Sequence, residues 1–155
     1  MRGEHEQFVD HVLEHLCHRM KLGEAILCAA DITSDPEEVI DLIYPLVTRH
    51  IQPEVRYLHA AISDHRLLMN ILEYTSAGFG GVQEWTPERI KQVFIDAATT
   101  RATSFDLVRA AVTVCILFKP SPLDLIKSMA MLGQEECCRR CKTVTKMVTL
   151  ALRVS

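Results

Sequence analysis

Prolines that follow a helix-capping side chain recur along this chain, and they constrain its fold more than any other feature. Three such pairs are present: Asp35-Pro36, Thr86-Pro87 and Ser121-Pro122. In each, a good N-cap residue precedes a proline, and the first helical position is the one where a helix tolerates proline best. An acidic residue stands three positions after the cap in the first and third of these, which strengthens the signal. Gln52-Pro53 is a weaker example because glutamine caps poorly. The chain is therefore predicted to be divided into helices.

We predict eight helices, near residues 4–30, 36–50, 53–62, 64–75, 87–100, 104–118, 122–132 and 134–152. No alternating apolar run is bounded by an Asn-Gly or Asp-Gly turn, so no strand is predicted. The expected fold is all-α, a single compact bundle of about seven to eight helices over residues 1–155. "TSAGFGGVQEWTP" at 75–87 predicts a flexible glycine-rich connector near 76–86, and Gly133 predicts a left-handed helix cap.

The apolar and terminal segments predict an intracellular protein, cytoplasmic or nuclear. "MRGEHEQF" at the N-terminus is acidic and lacks the apolar segment of a secretory signal. "AAVTVCILF" at 110–118 is far shorter than the ~20 residues that span a bilayer, so we expect a buried core helix and no membrane span. Inside the cell, the six cysteines are expected to be reduced.

Charge is unevenly divided along the chain. Residues 1–78 carry 6 Lys and Arg against 13 Asp and Glu, whereas residues 79–155 carry 11 against 7. On the last helix, Arg139, Lys142, Lys146 and Arg153 form a basic strip, which is either a solvated face that complements the acidic half or a surface for an acidic partner. No aromatic residue interleaves these charges, and this disfavours nucleic acid as the partner.

Cys137, Cys138 and Cys141 raise the question of metal binding or thiol chemistry. On a regular helix they continue the apolar stripe of Val144 and Val148, which predicts core packing. A structural zinc site needs four ligands, and no second C-x-x-C pair is present. A reactive thiol needs nearby positive charge, but the two arginines at 139 and 140 are expected to point away from the stripe.

His11, His15 and His18 form a second candidate cluster, because separations of four and three residues place them on one helix face. The apolar stripe of that helix lies almost opposite, which predicts an outward-facing row rather than a metal site shared with Cys17. The order H-x-x-E-H at 11–15 matches the inverted zinc-peptidase motif by residue type, but no third ligand can be identified.

Enzyme signatures are otherwise missing. "AGFGG" at 77–81 lacks the Lys-Ser/Thr of a P-loop, and there is no G-x-S-x-G elbow. "EWTPERI" at 84–90, followed by an apolar helix, is similar to the Trp-x-Arg-Ile arrangement of Bcl-2-like proteins. However, the spacing from Trp85 to Arg89 is longer, and Glu88 replaces the glycine before the arginine. No family is assigned on this basis. The similarity suggests only that a central helix can leave a groove for a partner helix.

These observations favour a non-enzymatic, intracellular helical module that binds a protein partner or its own copy and carries no cofactor. The partner-binding residues are predicted to be Trp85, Arg89, Arg139, Lys142 and Lys146. The alternative is a zinc-binding helical protein, which could be an enzyme, that uses the histidine row or the cysteine run.

Overall fold

The computed structural model describes residues 22–48 and 50–154, and these residues form eight helices and no strand. The predicted all-α fold of seven to eight helices is confirmed. The chain divides into two compact units, Met1–Ile51 and Gln52–Ser155. In the first unit, α1 (Leu22–Ala30) packs against α2 (Pro36–Val47). None of the helices in the described residues is long and apolar enough to span a membrane.

The second unit contains the other six helices: α3 (Arg56–Ala61), α4 (His65–Gly80), α5 (Pro87–Thr100), α6 (Phe105–Leu117), α7 (Leu125–Leu132) and α8 (Gln134–Val154). Helix α6 is central, since residues 111–118 are all buried, as predicted for a core helix. Helices α3, α4, α5, α7 and α8 all contact it, and α8 also packs along α4.

Helix caps account for most of the helix boundaries. The Asp35 side chain accepts a hydrogen bond from the Glu37 N–H, and the Thr86 hydroxyl accepts one from the Arg89 N–H, as predicted. The third cap was assigned to the wrong residue. Asp124 caps α7 by accepting from the Lys127 N–H, whereas the Ser121 hydroxyl accepts from the Leu123 N–H in the preceding turn. The helix therefore begins three residues later than predicted.

The glycine-rich segment also differs from the prediction, because α4 continues through Gly80 and leaves only residues 81–86 as a connector. Gly78 lies inside α4, where this helix contacts α5. A Cβ atom on Gly78 would lie 2.7 Å from Cγ1 of Val93, so the missing side chain lets α4 and α5 approach closely. Gly133 ends α7 with φ of 89°, as expected for a glycine cap, but its ψ of 158° lies outside the left-handed helical region.

Candidate functional site

A cleft of about 280 Å³ opens between α3 and α6 in the second unit. It is lined by two residues of α3, five of α6 and two of the segment that follows α6: Tyr57 and Ala61; Asp106, Arg109, Ala110, Thr113 and Val114; Pro120 and Ser121. The cleft therefore combines a tyrosine ring, an acid, a base and two aliphatic hydroxyl groups with apolar side chains.

The charged wall of the cleft belongs to the first turns of α6. The Ser104 hydroxyl caps this helix by accepting from the Leu107 N–H, which fixes where α6 begins. Asp106 and Arg109 are three residues apart and therefore occupy the same helix face. Both are exposed, and within the described part of the chain the Arg109 guanidinium makes no ion pair. The Thr113 hydroxyl donates to the Arg109 carbonyl at 2.7 Å, so its proton is already used.

The aromatic wall of the cleft is the ring of Tyr57 on α3. The Arg56 guanidinium lies 4.9 Å from the centre of this ring, and its Nη2 donates to the Tyr57 hydroxyl at 3.2 Å. Glu54 also contacts Arg56, with 3.5 Å between the carboxylate oxygen and Nη2. Arg56 remains largely exposed, so its positive charge stands beside the half-buried ring of Tyr57.

The segment after α6 is held by Phe118, a buried aromatic residue at φ of 73°. Its backbone carbonyl accepts a hydrogen bond from the Glu54 N–H at 2.8 Å, which ties the segment to the start of α3. A positive φ is costly for a bulky residue, so its surroundings must hold it in place. Pro120 and Ser121, which line the cleft, follow two and three residues after Phe118.

Arg140 supplies that support from α8, where it is fully buried. Its Nε donates to Oε1 of Glu136 at 2.9 Å, its Nη1 donates to the Ile116 carbonyl at 2.7 Å, and its guanidinium lies 5.0 Å from the centre of the Phe118 ring. Burial raises the pKa of Glu136, but the hydrogen bonds and charges of Arg139 and Arg140 outweigh burial and lower the pKa overall. Arg140 thus anchors the C-terminal end of α6.

The outward direction predicted for Arg140 is wrong. At 100° per residue, the buried stripe of α8 centres near Cys141, and Arg140 lies about 70° from that centre, closer than Cys138 at about 90°. The angle alone therefore placed Arg140 at the edge of the core. A charged residue is rarely fully buried unless it is paired, and Glu136 one turn earlier was the signal of such a pair.

Trp85 and Arg89, predicted to bind a partner, lie around the start of α5. Trp85 is partly buried; its indole N–H donates to the Met129 carbonyl at 2.9 Å, and its ring meets Phe79 edge-on at 6.0 Å. Arg89 is exposed and lies 3.9 Å from a carboxylate oxygen of Glu84. Trp85 therefore joins α7 to the aromatic core, and its predicted role in binding stays a prediction.

The three α8 residues predicted to bind a partner differ in their contacts. Arg139 holds Glu136 through two hydrogen bonds, of 2.9 and 2.7 Å. Lys142 and Lys146 are exposed and line a groove of about 500 Å³ between α4 and α8. The other residues of this groove are small apart from one acid: Glu73, Ser76, Ala77, Gly80 and Thr145.

The cysteines of α8 are free thiols, and their predicted packing role is confirmed for Cys137 and Cys141, which are buried in the core. Burial raises the pKa of Cys137 well above its usual range, and it raises the pKa of the half-buried Cys138 as well. For Cys141, the hydrogen bond with Cys115 and burial together raise the pKa strongly.

Metal binding was the alternative use of these side chains. Within residues 22–48 and 50–154, no group of three or more His, Cys, Asp or Glu side chains is arranged to hold a metal ion. The row of His11, His15 and His18 lies outside the described residues, together with Cys17.

Comparison with known families adds a direct indication of function. The sequence model of the anticodon binding domain family matches residues 7–145, whereas no curated protein matches the chain. The prediction that disfavoured nucleic acid as a partner is therefore wrong. That prediction relied on the missing aromatic residues of the α8 strip, but phosphate contacts need only cations, and an aromatic ring beside basic groups, that of Tyr57, is present in a different helix.

Proposed function

The chain belongs to the anticodon binding domain family, and from this premise we propose that it binds the anticodon loop of a transfer RNA without performing a chemical step itself. The observation that carries the proposal is the cleft between α3 and α6, because it combines an aromatic face with charged groups that match a base edge. Sequence-specific RNA binding commonly uses unpaired loop bases, which stack on aromatic rings and form hydrogen bonds along their edges.

Each wall of the cleft has a role in this proposal. The Tyr57 ring stacks on one unpaired base, and Arg56 beside it attracts the adjacent phosphate. On the facing wall, Arg109 donates hydrogen bonds to acceptor atoms of the base, and the Asp106 carboxylate accepts one from an amino group. Together they favour a base that presents both an acceptor and a donor on one edge.

The absence of a chemical step is supported by the state of the potential nucleophiles. The pKa values of Cys137, Cys138 and Cys141 are all raised, so these thiols are poor sources of the reactive thiolate. The cleft itself contains one acid and one base on adjacent turns, an arrangement suited to hydrogen bonding with a ligand. A transfer RNA partner also agrees with the intracellular location that the sequence predicts.

Equilibrium binding to labelled RNA hairpins tests the proposal. We expect hairpins that carry an anticodon loop to bind more tightly than a hairpin of the same length built from an acceptor stem. Replacing Tyr57 by Leu should weaken anticodon-loop binding by about 1 to 3 kcal/mol, the usual contribution of one base-aromatic stack. Tyr57→Phe keeps the ring and should bind nearly as well as the unmodified protein, apart from the lost contact with Arg56.

A second pair of variants tests base recognition at Arg109. Arg109→Gln should change the order of preference among hairpins that differ in one loop base, because the guanidinium contacts the base edge. Arg66→Gln removes the same charge from an exposed position on α4 and should leave that order unchanged. Equal binding of all hairpins, with or without an anticodon loop, would contradict the proposed function.

A further inference from the structure

The groove between α4 and α8 has one wall made mostly of small side chains. On α4, its wall consists of Glu73, Ser76, Ala77 and Gly80, which share one helix face at intervals of three and four residues. A Cβ atom on Gly80 would meet no other atom within 4 Å, so the floor at this end is open. Small side chains on this wall let a ligand backbone approach the helix closely.

The opposite wall of the groove carries two positive charges. Lys142 and Lys146 are four residues apart, so both ammonium groups emerge on the same side of α8. Both are exposed, and neither makes an ion pair within the described part of the chain. Thr145 between them donates its hydroxyl proton to the Cys141 carbonyl at 2.7 Å. The two lysine ammonium groups are therefore the groups on this wall that can donate hydrogen bonds to a ligand.

We propose that this groove binds the phosphate backbone of the RNA, with Lys142 and Lys146 as the contacting groups. The proposal rests on the proposed function, and it adds a second contact that positions the RNA without reading its bases. Two ammonium groups about one helical turn apart complement successive phosphates, whereas Arg139 is engaged by Glu136 and lies outside the lining. The negative charge of Glu73 lies in the same groove and weakens phosphate binding. Removing this charge should therefore raise the affinity for RNA, whereas removing the lysine charges should lower it.

The test measures the affinity for a labelled anticodon-loop hairpin over a series of salt concentrations. Each lysine that contacts a phosphate contributes about 0.7 to 0.9 to the slope of log affinity against log salt. The double variant Lys142→Gln, Lys146→Gln should therefore make the dependence on salt shallower, reducing the magnitude of the slope by about 1.4 to 1.8. The reduction should be the same for every loop sequence. The matched pair Lys91→Gln with Lys127→Gln removes two exposed charges from α5 and α7 and should change the slope much less.

The carboxylate variants supply the second measurement. Glu73→Gln should tighten RNA binding several-fold at low salt, whereas Glu88→Gln, an equal charge change at an exposed site on α5, should not. Equal slopes for the two lysine pairs, or equal affinities for the two glutamate variants, would overturn the groove while leaving the proposed function intact. If the unmodified protein binds no RNA hairpin, the proposed function fails, and the groove proposal fails with it.

Discussion

Replacing Arg140 by Met should destabilise the fold far more than the same change at the adjacent Arg139. The side chain of Arg140 is fully buried, and its loss leaves the Ile116 carbonyl without that donor and the Glu136 carboxylate with fewer partners. Removing one member of a buried ion pair usually costs about 3 to 5 kcal/mol. Arg139 still holds Glu136 in the variant, so we expect the lower part of that range, about 3 kcal/mol.

Urea unfolding followed by circular dichroism measures this difference, with the free energy of unfolding taken from the midpoint and slope. Arg139→Met is the matched control, because it removes the same charge from a half-exposed side chain and should cost less than about 1 kcal/mol. Double replacement of Glu136 by Gln and Arg140 by Met should recover part of the loss, since no buried carboxylate then remains. A cost below about 1 kcal/mol for Arg140→Met would refute the view that this residue anchors α6.

Three further predictions concern Glu136, Gly78 and Cys141. The pKa of Glu136 is lowered in the folded state, so its contribution to stability is fully present above the unfolded value of about 4.3 and is lost as pH falls from there through the lower folded value; Glu136→Gln should flatten this part of the stability-pH curve measured by urea unfolding. Gly78→Ala should lower stability by about 1 to 3 kcal/mol because of Val93, and Val93→Ala should relieve the clash, whereas Gly80→Ala should be tolerated, as thermal unfolding would show. Cys141→Ser should cost about 1 to 3 kcal/mol and Cys141→Ala less than the serine variant, measured in the same way, because serine buries a hydroxyl group.

The sequence predicted the helices well because their boundaries depend on local chemistry. A capping side chain bonds to an N–H two or three residues away, and a proline acts on its own turn, so both effects are visible in a short segment. The glycine-rich segment was mispredicted for a different reason. Gly78 allows a close contact with Val93, which lies on another helix. The local sequence does not distinguish a glycine in a connector from a glycine at such a helix contact.

The candidate cleft could not be predicted from the sequence, since its walls come from segments about fifty residues apart. Tyr57 and Arg109 have no motif in common, and their relation appears only when α3 packs against α6. The α8 residues were easier to find, because Lys142 and Lys146 are neighbours on one helix. Both lysines were predicted on one face of the last helix, but the groove that they line also depends on α4.

Because Arg140 lies in the last helix, its contacts in the second unit can form only after α8 has been synthesised. The cleft residues, from Tyr57 to Ser121, leave the ribosome before Arg140 does. Until α8 packs against α6, the Ile116 carbonyl lacks its hydrogen bond from Arg140, and the Phe118 ring lacks its contact with the Arg140 guanidinium. Such non-local contacts form late in folding, and exposed apolar surface in the interval favours aggregation. Nascent chains that stall before α8 should therefore be the species that most need a chaperone.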